Sequence, residues 1–337
     1  MPFQRTRTFH RQKLAIAKIL LNLNFGLFCA LIYFTNFAAE FCPMSKKYLF
    51  ESTVKIRDFE CDMQGVVNNA YYHNLLMQTR TEFLESVGIN RQQWSEERGI
   101  DFVVYETAIQ YRLPIQNGET FRSCLNLHRE GARFVYVQDF RRESGELCMR
   151  ARVDVVVGLH GRLTRGDIFA DWLRTRINLQ EMPSANVKHR TDKPLDEVIY
   201  DYEMKVRDYE CDVYGSATNA YVQRYLEVTR LEFMEEMGET FRKWHDNGVD
   251  MMVTKVDLKF IKPMMSSEKF HSLMNIRQDG PRVIFEQEIR RKSDKHLCVS
   301  AAVEIVGIVN GTLDSEGKCF DHFMNVQVPN WKAGQHL

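Results

Sequence analysis

The chain says one thing twice. Arg57-Asp58-Phe59-Glu60-Cys61-Asp62 is followed by Gly65, Asn69-Ala70-Tyr71, Thr79-Arg80, Glu82-Phe83 and Gly88. Downstream, Arg207-Asp208-Tyr209-Glu210-Cys211-Asp212 is followed by Gly215, Asn219-Ala220-Tyr221, Thr229-Arg230, Glu232-Phe233 and Gly238 at matching intervals. A period this long is no solenoid unit; it describes two domains of about 115 residues each, an ordinary domain size. With 337 residues, 44% of them hydrophobic and 27% charged, the chain can fill a packed core. Formal net charge is zero, so nothing suggests a nucleic-acid partner, which asks for a basic excess on one face. None of the eight cysteines forms a C-x-x-C pair, which argues against a zinc knuckle or redox motif and for small buried thiols in a reducing compartment.

Residues 1–43 lie outside the repeat. Arg5, Arg7, Arg11, Lys13 and Lys18 precede a stretch from Ile19 to Ala39 without charge. That pattern fits a signal anchor or membrane helix, although Asn22, Asn24 and Asn36 are costly in hydrocarbon. A transit segment is a second reading. A third is a natural start at Met44-Ser45-Lys46-Lys47, with the preceding residues read from a mis-assigned upstream start. The expected location is cytoplasmic, with membrane-anchored or organellar placement as the alternative if this extension is real.

Within one copy, Tyr48 to Arg57 alternates like a strand, and Asp58 to Gly65 reads as a loop. Val67 to Val87 then carries apolar residues at three- and four-residue steps up to Gly88, a helix with its C-cap. Strands are expected at 103–113, 119–129, 132–142 and 147–159, separated by Asn117-Gly118, Glu130-Gly131 and Ser144-Gly145. The second copy repeats the order, with a helix over 217–237 and strands at 202–207, 253–261, 268–278, 282–292 and 297–309. The fold class is therefore α+β, a long helix packed on an antiparallel sheet that curls around it. The expected domains are 45–165 and 198–313, joined by a linker at 166–197 and followed by a tail at 314–337.

Asp62 and Asp212 each precede a glycine and the start of the long helix. The first N–H groups of a helix lack intrahelical partners and carry partial positive charge, so a carbonyl oxygen placed there meets donors suited to a developing oxyanion. A neighbouring carboxylate can attack that carbonyl or activate water. A thioester suits this kit, because its thiolate leaves without a strong general acid. The competing reading is structural: aspartate near a helix start is often a cap and glycine a turn residue.

The stretch Asp62-Met63-Gln64-Gly65-Val66-Val67-Asn68-Asn69-Ala70-Tyr71-Tyr72 resembles the hotdog-fold thioesterases of the 4-hydroxybenzoyl-CoA type. It also resembles the Asp-x-x-x-His-Val-Asn-Asn-x-x-Tyr segment of plant acyl-carrier-protein thioesterases. The resemblance covers about residues 45–165 and 198–313. It implies two tandem hotdog domains paired as an intrachain pseudo-dimer, with sites at their interface. It also implies that Asp62 and Asp212 are the catalytic carboxylates, and that backbone N–H groups near Gly65-Val66 and Gly215-Ser216 polarise the carbonyl. Asn69 and Asn219 join these as substrate-binding candidates. The segment lacks the histidine many relatives carry: Val66 or Asn69 stands there, and Ser216 or Asn219 in the second copy. Gln64 becomes Tyr214 and Asn68 becomes Thr218, so the two sites differ.

The expected activity is hydrolysis of acyl-CoA or acyl-acyl-carrier-protein to free acid and thiol, with no metal or redox cofactor required. Two alternatives stand beside it: a hydratase or dehydratase, which needs a histidine paired with an acid, and a non-catalytic acyl-thioester binding module. A homodimer of double hotdogs is a further possibility, and membrane contact follows only if residues 1–43 are present. Arg80 and Arg230 read as a structural salt bridge across the domain pair, Arg133 and Arg282 as turn charges, and Tyr71 and Tyr221 as core. His73, His128 and His160 show no metal spacing.

Overall fold

Alternating strands, several of them closed by glycine-containing turns, and one long apolar helix per copy leave few ways to bury the apolar faces. The structure, a computed structural model, describes residues 48–183, 191 and 194–324; the N-terminal expectations lie outside the described residues. The first repeat runs β1 (Phe50–Lys55), α1 (Asn69–Ser86), α2 (Arg91–Arg98), β2 (Ile100–Tyr111), β3 (Thr120–Glu130), β4 (Arg133–Arg142) and β5 (Leu147–Leu159). Short β6 (Arg162–Leu163), α3 (Asp167–Arg174) and β7 (Gln180–Glu181) follow. The second repeat runs β8 (Tyr200–Lys205), α4 (Asn219–Glu236), α5 (Phe241–Asp246), β9 (Val249–Phe260), β10 (Lys269–Asp279), β11 (Arg282–Arg291) and β12 (Leu297–Val309), with short β13 (Thr312–Leu313) beyond.

One antiparallel sheet carries both copies, in the order β1-β3-β4-β5-β2-β9-β12-β11-β10-β8. The repeats meet where β2 pairs with β9, from Glu106 opposite Lys259 to Gln110 opposite Lys255. Ala108 lies opposite Asp257, and these two hold the same position in their respective copies. An approximate two-fold axis therefore passes through this pair, and the α+β double hotdog is a pseudo-dimer within one chain. No described helix is long and apolar enough to cross a membrane.

The conserved spacing of Thr79-Arg80 and Thr229-Arg230 has a packing explanation. Thr79 bonds Ser123 at 2.6 Å, and Arg80 Nη1 donates to Gln138 Oε1 at 2.9 Å. Gln138 Nε2 donates back to the Leu76 carbonyl at 3.1 Å. The second copy repeats all three bonds through Thr229–Ser272, Arg230–Gln287 and Gln287–Leu226. Each arginine thus pins its helix to the sheet of its own repeat through a glutamine, not through a salt bridge across the pair. Burial, which disfavours the charged form, lowers both guanidinium pKa values to about 10. Arg133 forms an ion pair with the buried Asp154 at 3.2 Å, so it is more than a solvated turn charge.

The shorter helices escaped the periodicity reading. α2 buries Trp94, and α5 buries its counterpart Trp244. α3, in the segment expected to be a linker, buries Phe169, Ala170 and Leu173. Phe169 packs against Phe102, Phe134 and Trp94 at ring centroid distances of 4.8, 4.6 and 6.5 Å. Cys124, Cys148 and Cys298 are fully buried, while Cys61 and Cys211 are partly exposed.

On the outer face of the sheet, Asp139 accepts two hydrogen bonds from Arg150 at 2.7 Å each, one from Arg141 at 2.9 Å and one from Tyr48 at 2.8 Å. Burial pushes this carboxyl up, but the bond and charge of Arg150, with Tyr48 and Arg141, outweigh it and hold the pKa below the usual carboxylate value. A depressed folded-state pKa gives stability that is present above the unfolded value of about 3.9 and lost as pH falls through the folded value. Asp139→Asn is therefore expected to destabilise the protein at neutral pH and to flatten the acid side of its stability curve. Denaturant melts between pH 7 and pH 3 check this.

Candidate active site

Asp62 opens a tight hairpin loop. Its N–H donates to the Val66 carbonyl at 2.9 Å, and the Gly65 N–H donates to the Asp62 carbonyl at 3.0 Å. Gly65 sits at φ 77°, a left-handed conformation that an L side chain adopts only with strain. The Asp62 side chain folds back on the same turn, its Oδ1 accepting the Gln64 N–H at 2.9 Å. The second copy matches: Gly215 has φ 79°, and Asp212 Oδ1 accepts from Tyr214 N–H at 3.0 Å and Ser216 N–H at 3.2 Å. Turn chemistry alone accounts for an aspartate at both places.

The loop delivers the chain to α1. Asn68 caps the helix, its Oδ1 accepting from the Ala70 N–H at 2.9 Å, while its own N–H donates to the Glu60 carbonyl at 3.0 Å. The Val67 N–H is taken by Ile115. Of the two N–H groups expected to polarise a substrate, that of Gly65 serves the turn, while that of Val66 lies near enough to the Asp62 carboxylate to favour its charged form. Among the described residues, the Asn69 N–H, first in the helix, is bonded to no acceptor. At the second loop the Gly215 and Ser216 N–H groups are likewise taken, and Asn219 begins α4 behind its cap Thr218.

What distinguishes the first loop comes from the other repeat. Asn68 Nδ2 reaches Glu227 of α4, at 3.2 Å from Oε1 and 3.4 Å from Oε2. Gln64 Nε2 lies 3.5 Å from Asp250 Oδ1 at the start of β9, and that oxygen is 2.7 Å from His245 Nδ1. The hydrogen bond to Asp250 raises the His245 pKa. Asp62 is half-buried, whereas Asp212 is exposed. Burial, with the charge of Glu227 adding to it, raises the Asp62 pKa against the lowering effect of the Gln64 and Val66 N–H groups. Behind the loop, Tyr72 meets Tyr111 edge-to-face at 4.9 Å, and the Tyr111 hydroxyl is shielded from water without a hydrogen-bond partner.

Tyr71 and Tyr221, expected in the core, are only partly buried. They flank the Arg224 guanidinium, whose central carbon lies 5.1 and 5.4 Å from the two ring centres. His73 is buried, and burial lowers its pKa to about 3. His128 pairs with Glu130 at 2.8 Å on β3. Neither belongs to the Asp62 site. Glu227, Asp250 and His245 were missed in the sequence because only the β2–β9 seam brings them to this loop. The available signal was the loss of identity between copies at Gln64 and Asn68.

The thioesterase-like superfamily model matches residues 54–185 and 206–331, most of both repeats. A chloroplastic acyl-acyl carrier protein thioesterase of Arabidopsis thaliana is 34% identical over 90 residues, 27% of this chain and 47% of that protein. The chain thus matches about half the length of that relative. Among solved structures, the 12:0-ACP thioesterase of Umbellularia californica is similar with a TM-score of 0.61 at 15% identity, over 77% of this chain and 94% of that one. An acyl-ACP thioesterase of Bacteroides thetaiotaomicron is similar with a TM-score of 0.58 at 10% identity, over 76% and 97%. At these identities the structural likeness speaks for the fold alone, and the family model carries the assignment: the chain belongs to the thioesterase-like superfamily.

Proposed function

We propose that the protein hydrolyses acyl thioesters of coenzyme A or acyl carrier protein, and that Asp62 is the reacting carboxylate. One observation carries this reading: a half-buried carboxylate stands beside the open N-terminus of α1, at the seam between repeats. The chemistry follows from elementary requirements. Asp62 takes a proton from water as the water oxygen bonds to the thioester carbonyl carbon. The resulting oxyanion is held by the Asn69 N–H and the positive end of α1. The tetrahedral species collapses with cleavage of the C–S bond, and the proton on Asp62 passes to the departing thiolate. Free acid and free thiol are the products. Relatives named as acyl-acyl carrier protein thioesterases support the same substrate class.

A hydration reading gains one observation, the His245–Asp250 pair beside Gln64. That histidine is 54% exposed, a poor position for moving protons in a desolvated site, so hydrolysis is preferred. Acyl-CoA and acyl-acyl-carrier-protein substrates of graded chain length, assayed for thiol and acid release together with enoyl absorbance, separate the readings. Thiol and acid in equal amounts, with no enoyl change, are expected. Binding without turnover, or a changing enoyl signal without thiol, overturns the proposal.

A further inference from the structure

Glu227 has no role in the fold that its counterpart does not fill otherwise. It stands one turn before Arg230 and interacts with that guanidinium. Yet Arg80, which makes the same bond to a glutamine in the first repeat, is equally buried with Met77 at the matching place. A counter-ion is therefore not what the buried arginine requires. Leaving carboxylates of Asp62 and Glu227 near one another across a seam costs free energy through like-charge repulsion. The arrangement is also held in place: the Asn68 amide spans from the cap of α1 to both oxygens of Glu227.

We propose that Glu227, carried by the second repeat, is a positioning residue of the Asp62 site, so that each chain assembles one complete site from both repeats. The inference rests on the hydrolytic reading of Asp62. The comparison of the two loops supports it independently. Around Asp212, Met77 stands for Glu227, Thr218 for Asn68, Tyr214 for Gln64, and Phe260 for Tyr111. The two-fold relation that brings α4 to the first loop brings α1, and with it the apolar Met77, to the second. Asp212 keeps its turn, and among the described residues no hydrogen bond joins its loop to the first repeat.

The negative charge of Glu227 keeps Asp62 basic, and Asn68 fixes the distance over which that charge acts. The other groups facing the pair are Tyr72 on α1, Tyr111 at the end of β2 and Arg230 on α4, with Asp250 and His245 beyond Gln64. All of them remain in a Glu227→Gln variant. Removing the charge lowers the Asp62 pKa, so the acid limb of kcat/KM, where a carboxylate base is lost by protonation, moves to lower pH. Glu227→Asp keeps the charge and restores most of the wild-type limb.

The full chain is used for two readouts. The first is the pH profile of thiol release for wild type, Glu227→Gln and Glu227→Asp. The second is titration of the Asp62 carboxyl by 13C NMR in the same proteins without substrate, assigned by its absence in Asp62→Asn. A downward shift of the Asp62 titration in Glu227→Gln, with the Asp variant near wild type, supports the proposal even if no thioester turns over. An unmoved titration and an unmoved acid limb overturn it, while the hydrolytic reading stands if thiol is still released.

Discussion

Asp62→Asn lowers thiol release from an acyl thioester by about a thousandfold, the range expected when a positioned base is lost, while the fold is kept. Asparagine retains the oxygen that accepts the Gln64 N–H at 2.9 Å, so the turn survives and only the charge is removed. Asp212→Asn also keeps its turn, but the rate stays near wild type, because Asp212 is exposed and has Met77 where the first site has Glu227. Steady-state rates on the two variants, with thermal melts as a folding control, check this. Equal loss in both variants would mean that both loops work; no loss in either would remove the aspartate from the reaction.

The second large effect concerns stability. Phe169→Ala destabilises the protein by about 3–5 kcal/mol, the usual cost of truncating a buried aromatic to alanine. Phe169 is fully buried among Trp94, Phe102 and Phe134. A cavity there cannot be filled from one side, because the sheet, α2 and α3 all contribute its walls. Chemical denaturation provides the number. A change within a few tenths of a kcal/mol would show that α3 is a detachable connector.

The repeat, both long helices and the strands between them were legible in the sequence because each carries a period of its own. The strands alternate, the helices step by three and four, and glycine marks the turns. α3 was not legible: Asp167–Arg174 is eight residues long, too short for a helical period to stand out. The partner of Arg80 was not legible either. The arginine shows in the sequence, but Gln138 meets it only after β4 has been laid against α1.

The site divides in the same way. Asp62, Gly65 and Asn69 could be named from the sequence because their geometry is local, set by one turn and one helix start. The Gly65 N–H looked available, yet the turn itself uses it, whereas the Asn69 N–H at the start of α1 is bonded to no acceptor among the described residues. Glu227 and Asp250 belong to the other copy and reach the loop only through the register of β2 against β9. A position-by-position comparison of the copies holds that information in outline, since Met77 stands where the second copy has Glu227.

A crystal structure with a non-hydrolysable thioether analogue of an acyl-CoA tests the central claim most directly. The account predicts the analogue between the Asp62 loop and α4, with its carbonyl oxygen within hydrogen-bond distance of the Asn69 N–H and its carbonyl carbon facing the Asp62 carboxylate. An analogue seated at the Asp212 loop alone, or bound with its carbonyl away from the start of α1, would contradict it.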